Sequence, residues 1–114
     1  MQYRLGIVVL VFNNSMWGTI RAHQEREFPG RSIALGFENP DFSRLIEAYQ
    51  GFGQVVTRTE DFAPAFEAAL DFAQSRKLPA LIELRYDPDG IAPGDTLTAI
   101  RERALAVMSE GNIA

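Results

Sequence analysis

From Leu5 to Phe12 the chain reads LGIVVLVF, with Gly6 the only residue that is not strongly apolar. An apolar run without polar alternation predicts a strand buried on both faces, as in the middle of a parallel sheet. The rhythm then changes. Met16 to about Glu27 predicts a helix with Met16, Ile20 and His23 along one side. Arg21 and Glu25 stand at the i, i+4 spacing and are expected to pair on the wet side, worth a few tenths of a kcal/mol. The segment FPGRSIALGFE, Phe28 to Glu38, carries Pro29, Gly30 and Gly36 and has no period. It reads as a loop, long for a compact domain and of the kind often used as a lid.

Asn39-Pro40-Asp41 predicts a helix start, with Asn39 as cap, Pro40 at the first helical position and Asp41 in the first turn. Phe42, Leu45, Ile46 and Tyr49 follow at amphipathic spacing, and Gly51 ends the helix. Gln54 to Arg58 is expected to be a short strand. Asp61 is placed to cap the next helix, leaving Pro64 in the first turn, where it loses no hydrogen bond. Phe62, Phe66, Ala69, Leu70 and Ala73 form the inner face of that helix. Arg76 and Lys77 lie at its negative end, and Pro79 stops it. Ala80 to Tyr86 predicts a third strand, and DPDGIAPGD a turn-rich connection. Asp95 or Thr96 then caps a last helix with Leu97, Ile100, Ala104, Leu105 and Met108 inward, and Gly111 to Ala114 should fray.

Strands alternating with helices predict an α/β fold, a three-layer parallel sheet with helices on both faces. Residues 1–114 suit one domain. The strand from Leu5 is the most apolar and so should be central, yet only two strands follow it. The expectation is an incomplete doubly wound domain, either the C-terminal portion of a longer protein or one that a partner completes. The free sheet edge predicts self-association, so a homo-oligomer is expected.

Composition narrows the functional classes. The chain is 46% hydrophobic and 23% charged, enough to bury a core, with a net charge of −4. Its Lys and Arg are scattered rather than striped, so no nucleic-acid partner is expected. Without cysteine there is no disulfide framework and no thiolate ligand or nucleophile. The apolar part of the N-terminal segment is too short to cross a bilayer and no cleavage site follows it, so the expectation is a cytoplasmic protein with no membrane partner.

The chemistry concentrates at Asn13-Asn14, where the apolar strand stops and a helix begins. Ligands of open parallel sheets bind beyond the carboxyl ends of the strands. A helix N-terminus offers free N–H groups to phosphate, and Gly18 allows close approach of a ligand to the backbone. An Asn amide oxygen suits Mg²⁺ when phosphate oxygens supply other ligands. The plainer reading is that Asn14 or Ser15 caps the helix while Asn13 fills a turn.

FNNSMWGTIRAHQ, with EFPGR and NPDFSRLIEAY after it and ALIELRYDPDGIAP further on, resembles the C-terminal part of the diphosphate-binding domain of thiamine-diphosphate enzymes, acetolactate synthase large-subunit-like. The resemblance covers nearly the whole chain. It implies that Asn14 binds Mg²⁺ through its side chain and Met16 through its main-chain carbonyl. It implies that Trp17 and Gly18 line the diphosphate and that Thr19 and Ile20 lie near the thiazolium ring and substrate. It also sets His23 facing the substrate cavity. The family's cofactor signature opens with Gly-Asp-Gly and closes with Asn-Asn, and only the close is present. The activating glutamate is absent as well, so the resemblance implies no catalytic residue here. It implies weak binding of thiamine diphosphate and Mg²⁺ by this chain alone and no activity on its own. A second expectation is a non-catalytic α/β association module in which Asn14 is only a cap.

Other groups read as structure. His23 is the only histidine, which argues against a transition-metal site and for a partly buried helix position. Asp87 and Asp89 fit a turn better than a Ca²⁺ loop. No serine sits in a Gly-x-Ser-x-Gly elbow. Glu25-Arg26-Glu27 reads as solvated helix surface, and Phe28 and Phe37 as loop aromatics that pack on a missing partner.

Overall fold

A computed structural model describes residues 2–111. In chain order its elements are β1 (Val8–Asn13), α1 (Gly18–Glu27), α2 (Phe42–Ala48), β2 (Phe52–Val56), a 3₁₀ turn (Thr59–Asp61) and α3 (Phe62–Arg76). They continue with β3 (Ala80–Arg85), β4 (Gly90–Ala92), β5 (Asp95–Thr96) and α4 (Leu97–Gly111). The chain forms two compact units: the segment through Asn13 with Asn39–Tyr86, and Asn14–Glu38 with the segment from Asp87 onward.

The first unit is an α/β layer structure. Its sheet is parallel throughout, in the order β1-β3-β2, with Val8 and Phe52 both in register with Ala80. Side chains alternate across it. Val8, Phe52, Val56, Ala80, Ile82 and Leu84 face α3, whose Ala65, Ala69 and Ala73 are buried against them. Three alanines at helical spacing let α3 lie close to the sheet. The opposite face carries α2. Gly53 is needed there because a Cβ on it would run into the main chain of Ser43. Helices therefore cover both faces, as the alternation of elements predicts.

The central strand, however, is β3. Ala80 to Glu83 are buried, whereas Leu10 and especially Phe12 of β1 are exposed. Among the described residues β1 pairs with a strand on one side only. Its apolar run is thus an edge, with the composition of a strand that has two neighbours.

Helix boundaries shift from the predicted ones for local reasons. Asp41, not Asn39, caps α2: its Oδ1 accepts the Arg44 N–H at 3.0 Å. Asn39 is drawn away to a different partner, Asn13. Leu45 of α2 and Tyr49 just past its end are exposed rather than inward. Gln50, at φ 64°, turns the chain out of α2 in the left-handed conformation. Gly51 follows in a tight spot, where a Cβ would meet Ile46 Cγ1 and the Pro79 carbonyl, each at 2.6 Å. β2 begins at Phe52, two positions before the predicted start. Asp61 stands at the N-cap of α3, but no side-chain cap bond forms. Its carboxylate instead receives the Arg58 guanidinium at 2.9 and 3.1 Å.

The second unit packs α1 on α4. Ala22, Leu97 and Ile100 form its buried centre, flanked by Met16 and Ile91. The DPDGIAPGD connection holds a small antiparallel hairpin, β4–β5, which its turn residues concealed. Thr96 caps α4, its hydroxyl accepting the Ala99 N–H at 3.1 Å. Asp89 secures the same helix end by accepting the Thr98 N–H at 2.9 Å, while Asp87 accepts the Asp89 N–H at 2.9 Å. Asp87 and Asp89 are turn residues, as expected, and Asp89 in addition serves the end of α4. Leu105 and Met108 are about half exposed rather than inward. Of the segment expected to fray, Gly111 is the last residue of α4 and residues 112–114 lie outside the described residues. Among the described residues no helix is long and apolar enough to cross a membrane.

Candidate cofactor site

The carboxyl ends of β1 and β3 carry a polar network in the first unit. Asn13, the last residue of β1, is buried and does not merely fill a turn. Its Nδ2 donates to Glu83 Oε1 at 2.6 Å, and its Oδ1 accepts from Asn39 Nδ2 at 2.7 Å. This is the bond that takes Asn39 from the helix cap. Glu83 is fully buried in the middle strand and is gripped by Arg85 at 2.9 and 3.2 Å. The Arg85 hydrogen bonds hold its carboxyl below the usual carboxylate range against the cost of burial, with Asn13 adding to the effect. The sequence hid this network inside a strand, although a lone acid in ALIELR is a signal: a buried charge needs partners.

Asn14 opens the second unit, half-buried. Its Oδ1 accepts the Met16 N–H at 3.2 Å, an Asx-type turn. Ser15 holds φ at 56°. The helix then starts at Gly18 rather than Met16, with Trp17 at the N-cap position and no side-chain cap. Asn14 and Ser15 therefore do not cap α1, and Asn14 instead closes a turn ahead of it. The Trp17 carbonyl accepts from Arg21 N–H at 2.9 Å, so Gly18, Thr19 and Ile20 are the first-turn residues whose amides have no intrahelical partner. Gly18 leaves room for Asn14: a Cβ there would sit 2.8 Å from Asn14 Nδ2 and 3.1 Å from Ile91 Cδ1 and push on both side-chain ends.

The 28–38 segment fixes this corner. Met16 and Gly36 form an antiparallel bridge. Trp17 N–H donates to the Leu35 carbonyl at 2.9 Å, and Phe37 N–H to the Ser15 carbonyl at 3.1 Å. The Trp17 and Phe37 rings lie tilted with centroids 5.2 Å apart, so Phe37 has a partner within its own unit. The far end of the segment is clasped by α1. Gln24 Oε1 accepts the Ile33 N–H at 2.9 Å, and Glu25 Oε2 accepts the Gly30 N–H at 2.9 Å.

Glu25 overturns the expectation of a solvated pair with Arg21. It is fully buried and receives Arg101 from α4 through two bonds of 2.8 and 2.5 Å. Arg21 stands farther off, its Nε 3.8 Å from Glu25 Oε1. The Arg101 hydrogen bonds lower the Glu25 pKa from 4.5 to about 2 despite the opposing cost of burial. His23, expected to be partly buried, is exposed beside Arg26, with Nδ1 and Nη1 3.2 Å apart. Ile20 is half exposed, and Trp17 is 58% exposed.

The structure thus gathers Asn14, Met16, Trp17, Gly18, Thr19 and Ile20 into one corner, with His23 one helical turn further along α1. Oxygen donors at this corner are the Asn14 amide and main-chain carbonyls. Among the described residues no group of three or more His, Cys, Asp or Glu side chains is placed to hold a metal ion. Amide and carbonyl oxygens match the hard-donor preference of Mg²⁺, and the uncapped first turn of α1 matches an anionic phosphate.

The family model described as thiamine pyrophosphate enzyme, C-terminal TPP binding domain, matches residues 1–84. The chain belongs to this thiamine pyrophosphate enzyme family. Among similar curated proteins, the sulfoacetaldehyde acetyltransferase of Castellaniella defragrans is 28% identical over 83 residues, 73% of this chain and 14% of that protein. The sulfoacetaldehyde acetyltransferase of Alcaligenes xylosoxydans xylosoxydans gives the same figures, 28% over 83 residues. The pyruvate oxidase of Lactiplantibacillus plantarum is 29% identical over 96 residues, 84% of this chain and 16% of that protein. The chain spans about one-seventh of the length of these relatives, 14% to 16%. The family match covers β1, the Asn14–Ile20 corner and the sheet, ending at Leu84.

Proposed function

We propose that this chain is a portion of a thiamine-diphosphate- and Mg²⁺-dependent enzyme of the acetolactate synthase-like kind, acting on 2-oxo acids or related carbonyl substrates by decarboxylation or carboligation. The observation that carries the reading is the Asn14 corner in a member of the thiamine pyrophosphate enzyme family. An amide oxygen, a left-handed Ser15 and an uncapped helix start converge there, and Gly18 leaves no side chain in the way. In this reading the Asn14 side chain and the Met16 carbonyl hold Mg²⁺, and Trp17 and Gly18 line the diphosphate. Thr19 and Ile20 lie toward the thiazolium ring, with Ile20 and His23 toward substrate. Thiamine diphosphate, when bound, supplies the carbanion chemistry.

This chain's own contribution is to bind and orient. First-turn amides meet phosphate charge, the exposed Trp17–Phe37 pair offers an apolar rim, and the 28–38 segment keeps Ser15 to Trp17 in place. One neutral amide and one carbonyl are poor anchors for an octahedral Mg²⁺, so the chain by itself binds the cofactor weakly; none of the corner residues is a base, so it turns over no substrate. The exposed, apolar and uncharged β1 edge supports a homo-oligomer.

Calorimetric titration of the chain with thiamine diphosphate in the presence of Mg²⁺ tests the reading. Binding is expected to require Mg²⁺ and to weaken at least tenfold in Asn14→Ala. Equal affinity with and without Mg²⁺, or an Asn14→Ala variant that binds like the parent, would leave Asn14 with a purely structural part.

A further inference from the structure

A cleft of ≈ 250 Å³ lies within the second unit, lined by Met16, Arg21 and residues 32–36. Arg21 is its one charged lining group, and that charge is poorly served. Its Nε is buried with no hydrogen-bond partner among the described residues. Its Nη1 meets only a thioether, Met16 Sδ, at 3.8 Å. The acid that faces it is Glu25, 3.8 Å away, and both of its oxygens are already bonded, to Arg101 and to the Gly30 N–H. Two guanidinium groups therefore share one carboxylate, which leaves one positive charge uncompensated. Arg21 keeps 29% of its side chain open to solvent.

We propose that this cleft binds a small organic carboxylate, held by the guanidinium of Arg21. A guanidinium presents its donors in a planar fork that matches a carboxylate. The Nε is covered, so the anion meets the Nη groups. No second charged side chain lines the cleft, which disfavours a more highly charged ion. Met16, Ile33, Ala34 and Leu35 are apolar, and Ser32 is the only other lining side chain with a polar group. A singly charged head with a short apolar body satisfies such a surface, whereas a phosphate dianion would leave charge and acceptors unpaired. The volume is below the span of about 300–1,000 Å³ typical of drug-sized ligands, which fits a molecule of few heavy atoms. The site does not depend on the cofactor reading, although Met16 belongs to both.

The test uses propionate as probe, with propionamide as its neutral counterpart and inorganic phosphate and diphosphate as competing anions. NMR of the ¹⁵N-labelled chain follows the Arg21 side-chain N–H resonances. Propionate is expected to shift them with millimolar saturation, and propionamide to leave them unmoved. Arg21→Met is expected to lose at least tenfold in propionate affinity. Ile33→Trp, at a lining residue that is 75% exposed, is expected to obstruct the cleft with Arg21 and the fold intact. Resonances indifferent to propionate, shifts unchanged by Ile33→Trp, or tighter binding of phosphate or diphosphate than of propionate would each overturn the proposal. Thiamine diphosphate titrations run alongside keep its outcome separate from that of the cofactor site.

Discussion

Replacing Glu25 by Gln removes one charge from the buried centre of the α1–α4 contact while keeping shape and an acceptor for the Gly30 N–H. Breaking a buried ion pair by removing one partner typically costs about 3–5 kcal/mol. Here Arg101 is 34% exposed and can rehydrate, which lowers the figure. A second route gives the same scale. A carboxyl held at about 2 instead of 4.5 corresponds to roughly 3 kcal/mol of folded-state preference. Screening through the solvent-open side of Arg101 reduces that to about 2 kcal/mol. The sign follows from linkage. The folded-state pKa is depressed, so the stabilisation is complete above 4.5 and is lost as pH falls toward about 2. Urea unfolding followed by fluorescence of Trp17, the only tryptophan and a residue of the same unit, reads the effect directly. Glu25→Gln is expected to lower stability by about 2 kcal/mol at pH 7, with the gap to the parent closing between pH 4.5 and 2. Equal stabilities at pH 7, or a gap that persists unchanged at the acid end, would refute an ionised Glu25 as the fastening between α1 and α4.

Gly18→Ala pushes on two mobile side-chain ends, Asn14 and Ile91, so thermal stability should change by no more than about 1 kcal/mol while Mg²⁺-dependent cofactor affinity drops at least tenfold. An affinity equal to the parent's would separate Gly18 from the ligand. Gly53→Ala meets main chain instead, and the helix above it must move. Thermal denaturation should show a loss of about 2–3 kcal/mol, and a parental melting curve would mean α2 yields freely. Val9→Lys puts a charge on the β1 edge, and sedimentation should show the parent self-associating and the variant far less so. A parent that sediments as a monomer at the same concentration would count against an adhesive edge.

The α/β class, the three parallel strands and α3 were legible, and the cap of α4 was narrowed to Asp95 or Thr96, because each rests on local periodicity or on a single side chain. β1 misled by its composition. Apolar residues on both faces imply cover on both faces, the usual state of a central strand, yet Leu10 and Phe12 are exposed and the described residues pair β1 on one side only. Glu25 misled for the opposite reason. Its spacing from Arg21 is that of a surface pair, and only Arg101, 76 positions away, makes it a buried anchor. The start of α1 moved because the 28–38 segment captures Ser15 and Trp17 through main-chain bonds. Main-chain partners leave no residue signature. Asn39 was a sound cap by propensity, but a long-range bond to Asn13 outcompeted that role and Asp41 took it over. The corner itself, Asn14 through Ile20, was placed by family resemblance, and the structure adds what holds it.

The stitching of residues 35–37 to residues 15–17 bears on how traffic reaches this place. A hinged flap has to swing clear and leave its frame standing. Here the flap and the frame share their seams: pulling Leu35 or Phe37 free would unpick Trp17 or Ser15 at the same stroke. Any opening of this stretch would therefore loosen Ser15 and Trp17 with it, so lid and corner would move as one piece.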